Sequence, residues 1–187
     1  MSTRDLVLTA LFAAIIIVLG LLPPITLGFV PVPITAQSLG VMLAGVILGA
    51  KRGTISVLLV LLVAAIGLPV LSGGRGGLAV FAAPTTGYLI GWVFAAATTG
   101  YLSERFVNAS QTGFVQAAGF FAAAVAGGVV VLYVFGISYL AVVTGMGFSK
   151  AFLGSMAFIP GDVLKAVVAA MAGRAVMVGY PLLPQRA

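Results

Sequence analysis

The stretch FIPGDVLKAVVAAM, residues 158–171, sets two charges, Asp162 and Lys165, inside an otherwise apolar run. Pro160 suits the first turn of a helix, where a missing amide hydrogen costs nothing, and the apolar run that follows continues to Val178. Both charges therefore belong to the start of that helix. At a rise of ~1.5 Å per residue Lys165 lies only ~8 Å beyond Pro160, and a spacing of three puts the two side chains on one face. A charge facing lipid costs roughly 2.5–3.5 kcal/mol on insertion scales, so charges within membrane helices usually point into a protein interior or cavity. The pair reads either as a site whose members share a ligand or as a structural ion pair, with Lys165 alternatively snorkelling to the interface.

The rest of the composition makes a membrane the natural surrounding. Of 187 residues 62% are hydrophobic and 6% charged, and the mean hydropathy is +1.28. Such a chain cannot cover a soluble domain with polar surface, and it reads as one integral membrane domain over residues 1–187. The net charge of +6 is spread over isolated basic residues, without the basic stripe and interleaved aromatics that nucleic acid requires. Cysteine and histidine are both absent, which removes disulfides, thiolate nucleophiles, the usual zinc sites and imidazole chemistry. Asp5, Glu104 and Asp162 are the only acids, too scattered for a two-carboxylate or carboxylate-rich metal site. An enzyme is disfavoured, and no resident cofactor or metal is expected.

Apolar runs punctuated by Gly, Pro and charge predict six spans, at 5–22, 36–50, 54–70, 84–102, 113–136 and 160–178. The second is short for a full crossing. The first is expected to remain in the mature chain, since no small-residue cleavage site follows its long apolar run. Arg4, Lys51, Arg52, Arg105, Arg174 and Arg186 fall at one face of such a bundle, Arg75 and Lys150 at the other. The positive-inside rule then places both termini in the cytoplasm and the start of the sixth span outward.

The outward loops carry the unusual residues. PPITLGFVPVPIT, residues 23–35, combines four prolines with apolar side chains, as expected of a cap packed onto the protein. The next loop joins a glycine-rich stretch, Gly73–Gly77, expected to be flexible, to Thr85, Thr86 and Tyr88. Arg75 stands there among four glycines, readable as a contact for an acidic ligand group or as a solvated loop charge. The cytoplasmic connections are short, and no Gly-Lys-Ser or Gly-Lys-Thr occurs, so the chain lacks a Walker phosphate loop. In the first span Ala10 and Ala14, broadened by Ala13, form a smooth stripe suited to a partner helix or to ordinary packing.

Three segments in order resemble the BioY family, the biotin-binding S components of energy-coupling factor (ECF) transporters. They are VPVPITAQSLGVMLAGVILGAKRG (30–53), LPVLSGGRGG with APTTGYLIGW (to Trp92), and FIPGDVLKAV (158–167). The family's usual Gly-Pro-Thr-Gly-Gly-Tyr reads Ala83-Pro84-Thr85-Thr86-Gly87-Tyr88 here, and Ala36 replaces a bulkier apolar residue. The resemblance implies an all-α, six-helix bundle with extracellular lid loops, in the cytoplasmic membrane of a bacterium or archaeon. It implies capture of biotin from outside and delivery inward, with a transmembrane coupling subunit and two cytoplasmic ATPases supplying energy. Asp162 and Lys165 match the family's ligand residues, with Thr35, Gln37, Thr85, Gly87, Tyr88 and Arg75 as further candidates. Ala10 and Ala14 match the coupling-subunit contact. Competing readings are an S component for another vitamin and a small proton-coupled secondary transporter, in which the charge pair would relay ions.

Overall fold

The computed structural model describes residues 1–180 and 182–183; Arg186, part of the topology count above, lies outside the described residues. The fold is helical. In chain order its α helices are α1 (Thr3–Gly20), α2 (Gln37–Ala65), α3 (Thr86–Phe106), α4 (Gly113–Val125), α5 (Leu132–Thr144), α6 (Phe148–Ser155) and α7 (Ile159–Gly179). A π-helical turn, Ala126–Val131, joins α4 to α5 without interruption, and a 3-10 turn, Met156–Phe158, joins α6 to α7. Among the described residues four helical stretches are long and apolar enough to cross a membrane, namely α1, α2, Gly113–Thr144 and Phe148–Gly179.

The second and third predicted spans are one helical run in this structure, broken at Gly49. Its φ of 83° and ψ of −178° lie where only glycine sits without strain. The run doubles back there. A Cβ placed on Gly53 would lie 2.7 Å from the Ala44 carbonyl oxygen, whereas residues nine apart in a straight helix are separated by roughly 13 Å. Gln37, at the start of α2, likewise bonds the carbonyl of Val70, beyond its end. The Ala50 amide, first after the break, donates to the Glu104 carboxylate of α3 at 2.8 Å, which caps the restarted helix. The run ends at Ala65 rather than residue 70, ahead of Gly67 at φ 106° and Pro69.

Two other boundaries differ from expectation. Helical structure from Gly113 extends to Thr144 rather than stopping at Gly136, because that glycine packs against the Tyr88 ring inside the bundle. The stretch between the fifth and sixth predicted spans contains α6, whose Phe148, Phe152 and Leu153 are exposed while Ala151, Gly154 and Ser155 are buried. Side chains at the end of the bundle where α1 starts are laced together: Arg52 pairs with Asp5 at 3.5 Å and donates to the carbonyls of Leu48 and Leu182.

The core takes one face of each long helix, and the remaining faces are apolar but uncovered. In α7, Asp162, Ala166, Ala169, Ala170 and Gly173 point inward, while Val163, Leu164, Val167, Val168 and Met171 are exposed. That pattern inverts a soluble protein's surface and suits a lipid surround. In α1, Ala10 and Ala14 lie on the exposed face beside Leu6, Val7, Leu11 and Val18. Ala13 does not extend that stripe, because the helical turn carries it into the core at 3% exposure.

Both glycine- and proline-rich loops are held down. Ile25 and Ile34 exchange backbone hydrogen bonds of 3.0 and 2.8 Å, closing the 23–35 segment into a loop whose Val30 packs on Gly154 of α6. The Gly73–Gly77 stretch is a tight turn rather than a flexible link. Leu71 and Arg75 exchange backbone hydrogen bonds of 3.0 Å each, and Gly73 and Gly74, at φ 78° and 68°, supply the left-handed residues that the reversal needs.

Candidate ligand-binding site

A cavity opens between these two loops and the first turn of α7. Its empty volume is about 600 Å³, a figure that includes the open mouth. Its walls are mainly apolar, from Val32, Ile34, Leu71, Leu89, Trp92, Leu132 and Phe158. Its polar groups form two clusters.

The first cluster lies at the start of α7. Asp162 is 5% exposed, and each carboxylate oxygen has its own donor. Lys165 Nζ reaches Oδ1 at 2.8 Å, and the Tyr133 hydroxyl reaches Oδ2 at 2.7 Å. Lys165 also donates to Ser38 Oγ at 2.9 Å, and Ser38 in turn faces the Thr35 carbonyl at 3.5 Å. Asp162 and Lys165 therefore form an ion pair, and that pair lines the cavity. Pairing and hydrogen bonding are what make a charge tolerable at this depth. A carboxylate held by two donors keeps lone pairs directed elsewhere, and these can accept from N–H groups of a ligand.

The second cluster belongs to the Leu71–Arg75 turn and the start of α3. Arg75 donates through Nε to the Ser72 carbonyl at 3.0 Å and through Nη1 to Thr85 Oγ1 at 3.2 Å. No carboxylate lies within salt-bridge distance of it among the described residues. Partial burial pushes its guanidinium below the ordinary value, yet an arginine remains charged at neutral pH. With Arg75 and Lys165 against Asp162, the lining residues carry one positive charge in excess. That excess suits a monoanion.

Tyr88 stands between the clusters. Ser155 spends its only hydroxyl hydrogen on the Ala151 carbonyl at 2.7 Å, so the 2.9 Å contact to Tyr88 has the tyrosine as donor. The Tyr88 ring meets those of Tyr133 and Phe158 edge-on at 6.5 and 6.4 Å, a favourable arrangement for aromatic pairs. Thr35, Gln37, Thr85, Tyr88, Arg75, Asp162 and Lys165 thus all line one cavity. Gly87 does not. A Cβ there would strike Tyr139 and Phe135, so Gly87 is where α3 and α5 touch. Tyr133, Ser38 and Trp92 complete the lining without having been singled out in the sequence, where each lies in an apolar helical run.

This geometry has relatives. A family model described as the BioY family matches residues 1–181. The chain is 76% identical over 187 residues to the Rhizobium etli protein named biotin transporter BioY, covering 100% of each. It is 47% identical over 182 residues to biotin transporter BioY of Rhodobacter capsulatus, covering 92% of this chain and 93% of that one. The fold is similar to a crystal structure of the S-component for biotin from an ECF-type ABC transporter, with a TM-score of 0.90 at 36% identity, covering 97% of each chain.

Proposed function

The chain belongs to the BioY family, and from that premise we propose that it captures biotin outside the cytoplasmic membrane and delivers it inward. It is a transporter subunit rather than an enzyme. The observation that carries the reading is the cavity itself, which offers a carboxylate acceptor, apolar walls and an excess positive charge in one enclosure. Biotin presents a urea ring with two N–H donors, an aliphatic chain and a carboxylate, and it is a monoanion at neutral pH.

Asp162 accepts the ureido N–H groups, held in place by Tyr133 and Lys165. Arg75 receives the ligand carboxylate, because Lys165 is already engaged with Asp162 and Ser38 whereas Arg75 has no anionic partner among the described residues. The apolar walls cover the chain, with Thr35, Thr85 and Tyr88 bounding the polar ends. Removal of water strengthens both polar contacts. The 23–35 loop serves as the lid, since Val32, Pro33, Ile34 and Thr35 form part of the wall. Biotin is cargo here, with no prosthetic role.

The single membrane domain, residues 1–187, crosses the bilayer six times in this reading, with α2 contributing two crossings through its reversal at Gly49 and both termini cytoplasmic. Energy comes from an ECF transmembrane coupling subunit and two ATPase subunits. The exposed face of α1 around Ala10 and Ala14 is the docking stripe, small enough for close approach of a partner helix.

The test is to purify the protein in mild detergent from biotin-replete cells, denature it and identify released small molecules by mass spectrometry. Near-stoichiometric biotin is expected. Titration of the emptied protein should then show Asp162→Asn weakening biotin binding by at least roughly 1.5 kcal/mol, the lower range for losing a charged hydrogen bond. A different vitamin, or no binding of biotin at all, refutes the assignment.

A further inference from the structure

Gln37 lines the cavity, yet its amide is spent elsewhere. It is 1% exposed. Nε2 donates to the carbonyls of Ile16 at 3.2 Å and Val70 at 3.0 Å, and Oε1 accepts from the Ser72 amide at 2.8 Å. The partners fix the amide's orientation, because the reverse setting would aim its oxygen at two carbonyls and its NH2 at an N–H. One side chain thus ties three segments together: α1 through Ile16, α2 through its own backbone, and the arginine turn through Val70 and Ser72.

The tie leads directly to Arg75. Ser72, held by Gln37 at its N–H, accepts from Arg75 Nε at its carbonyl. Ser72 is itself 1% exposed, so its amide has no water to turn to when the Gln37 acceptor is lost. Gly20 of α1 makes the room: a Cβ there would lie 2.6 Å from Gln37 Nε2 and 2.8 Å from the Val70 oxygen. Packing alone would be served more cheaply by leucine or methionine, since a buried amide must recover its lost hydration through hydrogen bonds.

We propose that Gln37 is a positioning residue that sets the Arg75 guanidinium for the ligand's carboxylate and makes that setting depend on α1. Displacing the outer half of α1 from α2 breaks the Ile16 bond and loosens the turn, so the carboxylate end of the site responds to the helix with the exposed face. The inference rests on the reading of Arg75 as the carboxylate partner.

The experiment titrates the purified full-length protein in detergent with biotin and with biotin amide, whose tail is neutral, using wild type, R75Q, Q37L, G20A and the Q37L/R75Q pair. Wild type should prefer biotin, and R75Q should erase that preference. Q37L should lose roughly tenfold for biotin, on the scale of one charged hydrogen bond, while its affinity for the amide stays within about threefold. The double variant should bind biotin no more weakly than R75Q, as coupled residues do. G20A, which acts from α1 without lining the cavity, should reproduce the same selective loss, and it carries the test if Q37L fails to fold.

Equal losses for both ligands in Q37L or G20A, or no loss in either, overturn the inference. So does an R75Q protein that keeps its preference. Failure of wild type to bind biotin would overturn the proposed function instead, and would be visible before any variant is compared.

Discussion

Asp162 has one donor on each oxygen, Tyr133 on Oδ2 and Lys165 on Oδ1, so its carboxylate plane is fixed before any ligand arrives. Preorganisation of this kind saves the cost of ordering the acceptor on binding. Tyr133→Phe is therefore expected to weaken biotin binding by roughly tenfold, about 1.4 kcal/mol, just under the lower end of the range for hydrogen bonds to charged groups. In the Asp162→Asn background the same change should cost much less, because the two act on one acceptor; the coupling expected of contacting residues is about 0.5–3 kcal/mol. Strict additivity in calorimetric titrations would assign Tyr133 a packing role only. Sequence reading found Asp162 and Lys165 because charges three apart in an apolar helix share a face and need a reason to be there. It could not find Tyr133, one of three aromatic residues in VVVLYVFGISYL, since its partner lies 29 positions away. Gln37 shows the converse: the family resemblance marked it as a ligand candidate, but only tertiary structure reveals that its amide bonds the backbone.

At the scale of elements, the α2 reversal depends on Gly49 and on Glu104. The sequence marked the reversal through Lys51, Arg52 and Gly53, which punctuate two apolar runs. It left Glu104 without a role, because the Ala50 amide it caps is 54 positions distant. A charged acceptor at a helix start is stabilising through both the hydrogen bond and the helix dipole. Glu104→Ala should lower stability in detergent by about 1–2 kcal/mol, the usual cost of losing a cap, while Glu104→Gln keeps an acceptor and should lose less. Thermal unfolding followed by fluorescence-detected gel filtration measures both; an alanine variant that melts with wild type would show that the cap contributes nothing. The same reasoning explains α6 and the Gly113–Thr144 run. A short helix among loop signals has too little periodicity to read, and Gly136 looked like a terminus because glycine's packing against an aromatic ring is a tertiary fact.

For the whole molecule, the number of crossings decides which side each loop faces, and the α2 reversal makes the decision testable. With two crossings in α2 and one each in α1 and α3, four helical passes separate Thr3 from Ser110, which places both on one side; three separate Gly28 from Ser110, which places those on opposite sides. Were α2 a single crossing, both relations would invert. The absence of native cysteine allows single reporters at Thr3→Cys, Gly28→Cys and Ser110→Cys, all at exposed positions. A Cβ at Gly28 meets no atom within 4 Å, so that reporter should be tolerated. In intact cells a membrane-impermeant maleimide should label Gly28→Cys alone, with Thr3→Cys and Ser110→Cys labelled only after permeabilisation. Labelling of Thr3→Cys and Ser110→Cys from outside, with Gly28→Cys protected, would keep the six crossings and reverse the orientation inferred from Arg4, Lys51, Arg52, Arg105 and Arg174. Gly28→Cys and Ser110→Cys responding alike would refute the hairpin's double crossing, and with it the placement of the Arg75 turn and the 23–35 lid on the side from which biotin enters.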